Sequence, residues 1–103
     1  MSEVLTTFWA LSDPVRLEIV DRVASGSELT VTQLAAVLPM TRQAITRHVR
    51  TLEESGLLVG EREGREHRYR VNVAPLTHAS GWLDSKRTAW DDALSRLAEY
   101  LEE

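Results

Sequence analysis

The sequence contains no cysteine, which excludes a disulfide framework, a thiol nucleophile and a thiolate metal site. No apolar run approaches the roughly 20 residues that span a bilayer. The opening Met-Ser-Glu lacks the basic region and apolar core of a signal peptide. The expectation is therefore a cytoplasmic protein with no membrane partner. Also missing are a nucleophile elbow, a glycine-rich phosphate loop and a two-histidine metal helix, so an enzymatic reading finds no support. Glycine and proline are scarce, five and three in 103 residues, and no linker, repeat or low-complexity stretch is visible. What remains is one domain, residues 1–103, of ordinary globular composition and large enough to bury a single core.

The formal net charge of −4 argues against nucleic acid only until its distribution is read. Residues 42–70 hold seven arginines against five glutamates. The flanks 1–41 and 71–103 hold two basic residues against five acidic ones and three against six. The basic residues of the middle segment are all arginine, whose planar fork suits guanine edges and phosphates. One basic segment thus lies between two acidic ones.

Within that segment, Ile45, Val49 and Leu52 recur at i, i+4 and i+7, one apolar stripe of a helix. Gln43, Thr46, Arg47 and Arg50 share the opposite face, and Thr41 is placed as N-cap. That face carries no carboxylate before Glu53. A merely solvated face would mix both signs of charge, whereas Gln, Thr and Arg suit base edges and phosphates. The helix from Thr41 to Glu54 is expected to read DNA. Its His48 lies towards the inner side, as a packed or phosphate-touching residue.

The surrounding pattern supplies the scaffold for such a helix. Val4, Phe8 and Leu11, with Leu5 and Trp9 beside them, predict an N-terminal helix (1–12) that is too apolar to stand alone. Asp13-Pro14 starts a second helix, with Val15, Ile19 and Val23 as its stripe, Leu17 and Val20 widening it, and Gly26 as left-handed cap. Arg16 is equally suited to a phosphate or a neighbouring acid. Thr30-Val-Thr-Gln33 reads as a capping box for a short helix with an apolar face of Leu34, Val37 and Leu38, stopped by Pro39. Together with the Thr41 helix this gives a helix-turn-helix over 30–54.

Residues 57–73 read as a hairpin, turning at Gly64-Arg65. Val59, Tyr69 and Val71 are expected on its inner face and Arg62, Arg68 and Arg70 on its outer face. Such a hairpin is a wing, with Arg65 at its tip positioned for a minor groove or a phosphate. His67 reads as a plain polar strand residue. From about Pro75, or only from Gly81, a last helix runs to about 102 with Trp82, Leu83, Trp90, Leu94, Leu97 and Leu101 on one stripe. That stripe exceeds what a small core needs, so it and the first helix read as a dimer interface. Trp82 and Trp90 fit core or interface better than a ligand cage, and His78 reads as structural.

The chain resembles the ArsR-type (ArsR/SmtB) family of small winged-helix repressors along nearly its whole length. The residues that carry the resemblance are Ala10-Leu-Ser-Asp-Pro-Val-Arg-Leu-Glu-Ile19, Leu29-Thr-Val-Thr-Gln-Leu-Ala35, Gln43-Ala-Ile-Thr-Arg-His-Val-Arg-Thr-Leu52, Glu54-Ser-Gly-Leu-Leu58, and Gly64-Arg65 with Tyr69. The resemblance implies a homodimeric transcriptional repressor, usually released from its operator by a small effector. It departs from the family's metal sensors. Val31-Thr32-Gln33 stands where some carry Cys-x-Cys, and His78 with scattered Asp84, Asp91 and Asp92 does not supply the His-rich pattern of others. Too few ligands remain for a closed transition-metal site, so no metal or cofactor is expected.

The reading is thus a mainly α fold with a small β-hairpin wing, an α+β winged helix-turn-helix that dimerises through its N- and C-terminal helices. The expected DNA-binding residues are Thr41, Arg42, Gln43, Thr46, Arg47, Arg50, Arg65 and Arg68. The expected dimer residues are Leu5, Phe8, Trp9, Trp82, Trp90, Leu94, Leu97 and Leu101. The competing reading is a winged-helix protein-interaction module whose basic face is idle.

Overall fold

The computed structural model describes residues 3–26 and 28–102; Met1 and Ser2, at the start of the expected N-terminal helix, lie outside them. Five helices and three short strands follow in the order α1 (Glu3–Leu11), α2 (Pro14–Gly26), β1 (Leu29–Thr30), α3 (Val31–Val37), α4 (Arg42–Glu54), β2 (Leu58–Glu63), β3 (Glu66–Val71) and α5 (Ala74–Glu102). The result is the mainly helical winged helix-turn-helix that the periodicities predict. Its core gathers Ile19 and Val23 of α2, Leu34 of α3, Ile45, Val49 and Leu52 of α4, and Leu57, Leu58 and Tyr69 around the sheet.

The corner between α1 and α2 is built by Asp13 and Arg16. Asp13 Oδ1 accepts the backbone N–H groups of Val15 at 2.8 Å and Arg16 at 3.2 Å, capping α2. Those N–H groups, Arg16's first, hold the Asp13 carboxyl below its usual range against a smaller opposing effect of burial; the charges of Arg16 and His48 add to the lowering. Arg16 itself donates from Nε to the Ala10 carbonyl at 2.6 Å and from a terminal nitrogen to the Trp9 carbonyl at 3.1 Å. Both carbonyls lie in the last turn of α1, and that of Trp9 also accepts from the Ser12 backbone N–H at 3.2 Å and hydroxyl at 2.6 Å. Its guanidinium also lies 4.9 Å from the centre of the Trp9 ring and 3.8 Å from Asp13. Of its two expected roles, Arg16 thus takes the one beside the acid.

Three details of the helices differ from expectation. Leu17 is 45% exposed, because it lies two residues from both Val15 and Ile19 and so turns away from their stripe. Val37 is 50% exposed: Ala35 and Leu38 pack inward with Leu34, which centres the face of α3 on the other side of Leu34. Gly26 is not a left-handed cap, since positive φ occurs among the described glycines only at Gly56 and Gly64. Instead α2 continues through Gly26, and Leu29 folds back so closely that a Cβ there would sit 3.2 Å from its Cδ2. The predicted capping box of α3 forms in full, with Thr30 Oγ1 accepting from Gln33 N and Gln33 Oε1 accepting from Thr30 N.

The sheet has three strands in the order β1-β3-β2, one more than the hairpin predicted. Its extra strand is only two residues long, too short to show a period, and pairs Leu29 with Tyr69 and Thr30 with Arg68. The wing turns as expected through Gly64 at φ +65°, with Glu63 opposite Glu66. That two-residue turn fixes the register, and the register corrects the face assignment. Val59 pairs with Arg70 and Arg62 with His67, so Val59 shares the arginine face and Arg62 does not. Leu58, opposite Val71, is the buried residue of β2.

Gly60 faces Tyr69, and a Cβ on it would stand 2.8 Å from Tyr69 Cε1 and from His67 Nε2. Only a glycine lets the strand sit this close to the Tyr69 ring, on which His67 stacks with centroids 5.0 Å apart. Burial pushes the Tyr69 phenol up; the Glu53 charge adds to this and Arg50 opposes it.

The last helix begins at Ala74, whose N–H reaches Asn72 Oδ1, while Asn72 Nδ2 donates to the Gly56 carbonyl at the exit of α4. It passes through Gly81 without a break and runs 29 residues, about 43 Å at 1.5 Å per residue. Ala79 is its one buried residue among those described. Phe8 and Trp82 meet edge to face at 5.8 Å, joining α1 to α5 within one chain. Beyond that contact the helix leaves the body of a molecule measuring 68 × 25 × 25 Å. Leu83, Trp90, Leu94, Leu97, Tyr100 and Leu101 stand exposed along it, as do Leu5 and Trp9 on α1. Among the described residues no helix is long and apolar enough to cross a membrane.

Candidate nucleic-acid interface

Helix α4 is fastened by one face, and its other face is left to solvent. Thr41 caps it, Oγ1 accepting from Ala44 N at 3.1 Å, and Ile45, Val49 and Leu52 are wholly buried. Arg42, Gln43, Arg47 and Arg50 are exposed and Thr46 is half-exposed. Among the described residues, none of these Arg and Gln side chains is spent on an ion pair or side-chain hydrogen bond. The donors of this face therefore point outward without an internal acceptor. Thr46 Oγ1 donates its proton to the Arg42 carbonyl at 2.8 Å, so outward it can only accept. The Thr41 hydroxyl still has its proton to give.

The wing brings a second set. Arg65 is exposed at the tip, next to Gly64. Arg68 is engaged inside the wing, 3.0 Å from Glu63 and 3.3 Å from Glu66, an arrangement that ties the two strands together behind the tip. Thr46, Arg42 and Arg65 are brought around one groove of about 260 Å3, together with Thr32 and His67. Nothing in the sequence marks Thr32, inside the capping stretch of α3, or His67, a plain polar strand residue by pattern, as groove residues. The pairing of β1 with β3 carries the start of α3 to the wing, and a two-residue strand gives no signal for it. Arg47 and Arg50 lie further along α4, away from this groove. Among the described residues there is no group of three or more His, Cys, Asp or Glu placed to hold a metal ion.

A helix-turn-helix with a three-stranded wing and a cationic, unpartnered second helix defines a DNA-binding regulator of the winged-helix class. A helix-turn-helix domain family matches residues 11–61 of the chain. Over 84 residues the chain is 34% identical to the uncharacterised HTH-type transcriptional regulator YuzN of Bacillus subtilis, covering 75% of this chain and 91% of YuzN. It is 34% identical over 85 residues to the HTH-type transcriptional repressor SmtB of Mycobacterium tuberculosis, covering 82% of this chain but 61% of SmtB. Among solved structures, the ArsR-like transcriptional regulator from Rhodococcus sp. RHA1 matches with a TM-score of 0.83 and 35% identity, over 92% of this chain and 89% of that one. The chain belongs to the ArsR-type family of winged helix-turn-helix transcriptional regulators.

Proposed function

We propose that this protein is a cytoplasmic, homodimeric repressor that reads a pseudo-palindromic operator and is released from it by a small effector. The observation that carries the reading is the outer face of α4, where Gln43, Arg47 and Arg50 present donors that no internal group takes. Arg47 and Gln43 have the fork and amide chemistry for base edges, Thr41, Arg42, Arg50 and Arg65 suit the flanking phosphates, and Thr46, able only to accept, suits a base-edge donor. Arg68 serves the same surface by bracing the wing. Two copies are needed because one α4 spans a single half-site, and half-sites lie about one helical turn apart. The uncovered stripe of Trp90, Leu94, Leu97 and Leu101, with Leu5 and Trp9, is the surface that supports pairing. Phe8 and Trp82 underpin it by joining α1 to α5.

The deciding experiment is selection of bound fragments from genomic DNA by the purified protein, followed by footprinting. A symmetric protected site whose occupancy falls steeply with salt is the expected result. Absence of any retained duplex at low salt, with a stoichiometric protein partner recovered instead, would reverse it in favour of a protein-interaction module.

A further inference from the structure

The groove between α3, α4 and the wing joins residues far apart in sequence: Thr32, Arg42, Thr46 and Arg65. We propose that it seats a single DNA backbone phosphate, held at once by Arg42 from the recognition helix and Arg65 from the wing. The inference rests on the DNA-reading role above and goes beyond it by giving two separate elements one shared ligand.

Charge argues first. Two arginines line this small space, and among the described residues neither has an ion-pair partner. The one carboxylate in the lining, Glu66, is taken by Arg68 at 3.3 Å. The groove is thus cationic and favours an anion between its two arginines. Size argues next. The groove, of about 260 Å3, has room for a phosphate. Chemistry completes the case. A phosphodiester has two unesterified oxygens, one for each guanidinium fork. The Thr32 hydroxyl is a further donor at the rim. Thr46 has given its proton to the Arg42 carbonyl and supplies wall rather than a bond to an anion. His67, stacked on Tyr69, closes the wing side.

Its place in the fold gives the site its meaning. The groove lies at the first turn of α4, whereas Arg47 and Arg50 stand one and two turns further along. One phosphate gripped there fixes the register of α4 on the duplex and leaves Arg47 to meet the bases. The wing tip then acts as the second jaw of a clamp and not as an independent reader of the minor groove.

The test uses the full-length protein and a duplex recovered by the selection above. Binding of wild type, Arg42→Ala, Arg65→Ala and the double variant is measured by fluorescence anisotropy across a salt series. Each B-DNA phosphate contributes about 0.9 to the slope of log affinity against log salt. The double variant is expected to lose about 0.9 of slope, and two separate phosphates would cost about 1.8. The duplex is then scanned with single uncharged methylphosphonates. Neutralising one particular phosphate should abolish the difference between wild type and both single variants. Cancellation of Arg42 and Arg65 at two different phosphates would overturn the shared clamp. Failure to bind any duplex would instead strike the DNA-reading role itself. Both arginines are exposed, and unchanged circular dichroism of the variants confirms that the fold is not the cause.

Discussion

Arg16 Nε stands 2.6 Å from the Ala10 carbonyl oxygen, so a side chain of α2 closes the end of α1. The Arg16 side chain is only 12% exposed and its guanidinium also reaches the Trp9 carbonyl, which places a charged group where the first helix must turn into the second. Arg16→Ala would leave both carbonyls without this donor and remove the cation from the Trp9 ring. Hydrogen bonds to charged groups contribute about 1.5–3 kcal/mol, and the variant is expected to lose about 2 kcal/mol of stability. Urea unfolding checks this. A midpoint equal to wild type would mean that α1 is held by its contact with α5 alone.

Asp13 makes the same corner sensitive to acid. Its carboxyl titrates below its usual range because it accepts the Arg16 and Val15 N–H groups. A group whose folded pKa is depressed adds stability above its unfolded pKa, about 4, and loses it as pH falls through the folded value. The stability contributed by Asp13 is therefore complete above about pH 4 and drains away below it. Asp13→Asn keeps a capping oxygen without the charge. Its unfolding midpoint should fall less steeply than that of wild type between pH 4 and pH 2, as thermal scans would show.

Gly60 is the tightest point of the wing. Adding a Cβ 2.8 Å from Tyr69 Cε1 forces the buried ring to shift, since the exposed His67 can swing out but the buried Tyr69 has no free space to take. Gly60→Ala is expected to cost about 1–3 kcal/mol, in the range of other overpacking changes. Near-ultraviolet circular dichroism should show the displaced tyrosine.

This glycine also shows where sequence stops speaking. The faces of α4 were legible because Ile45, Val49 and Leu52 repeat at helical spacing opposite four polar residues, and a period needs no neighbours to be seen. Thr30 with Gln33, and Gly64 at the wing turn, were legible because a cap or a tight turn is settled within four residues. Gly60 and Val37 depend on what arrives from elsewhere in the chain. Alternation alone puts Val59 and Arg62 on the wrong faces, although the turn at Gly64 already fixes their partners as Arg70 and His67. The groove of Thr32, Arg42 and Arg65 was hidden most deeply, since it exists only because Thr30 pairs with Arg68 across the sheet.

Arg47 and Arg65 should fail differently as alanines. Arg47 lies mid-helix with a free fork, so Arg47→Ala is expected to cost about 1–3 kcal/mol on the selected operator and to relax specificity there. Arg65→Ala should weaken selected and scrambled duplexes by a similar factor, because a phosphate contact carries no sequence information. Competition binding against both duplexes separates the two. An Arg47→Ala variant that weakened both duplexes equally would move Arg47 from bases to backbone.

The stripe on α5 can be tested without touching the reading head. Trp90 is 60% exposed and Leu94 63% exposed, so neither contributes much to the core of a single chain. Leu94→Glu with Leu97→Glu places two carboxylates on that stripe, where a facing copy would bury them unpaired at a cost of several kcal/mol each. Sedimentation at micromolar concentration should therefore shift from dimer to monomer while circular dichroism shows the helices intact. Linking two half-site contacts raises affinity by about 10²–10⁴ over one. The double variant should thus bind a full operator by that factor more weakly, yet bind an isolated half-site as wild type does. Equal loss on both duplexes would mean that α5 supports α4 directly. A wild-type protein already monomeric at that concentration would remove pairing through this stripe from the account.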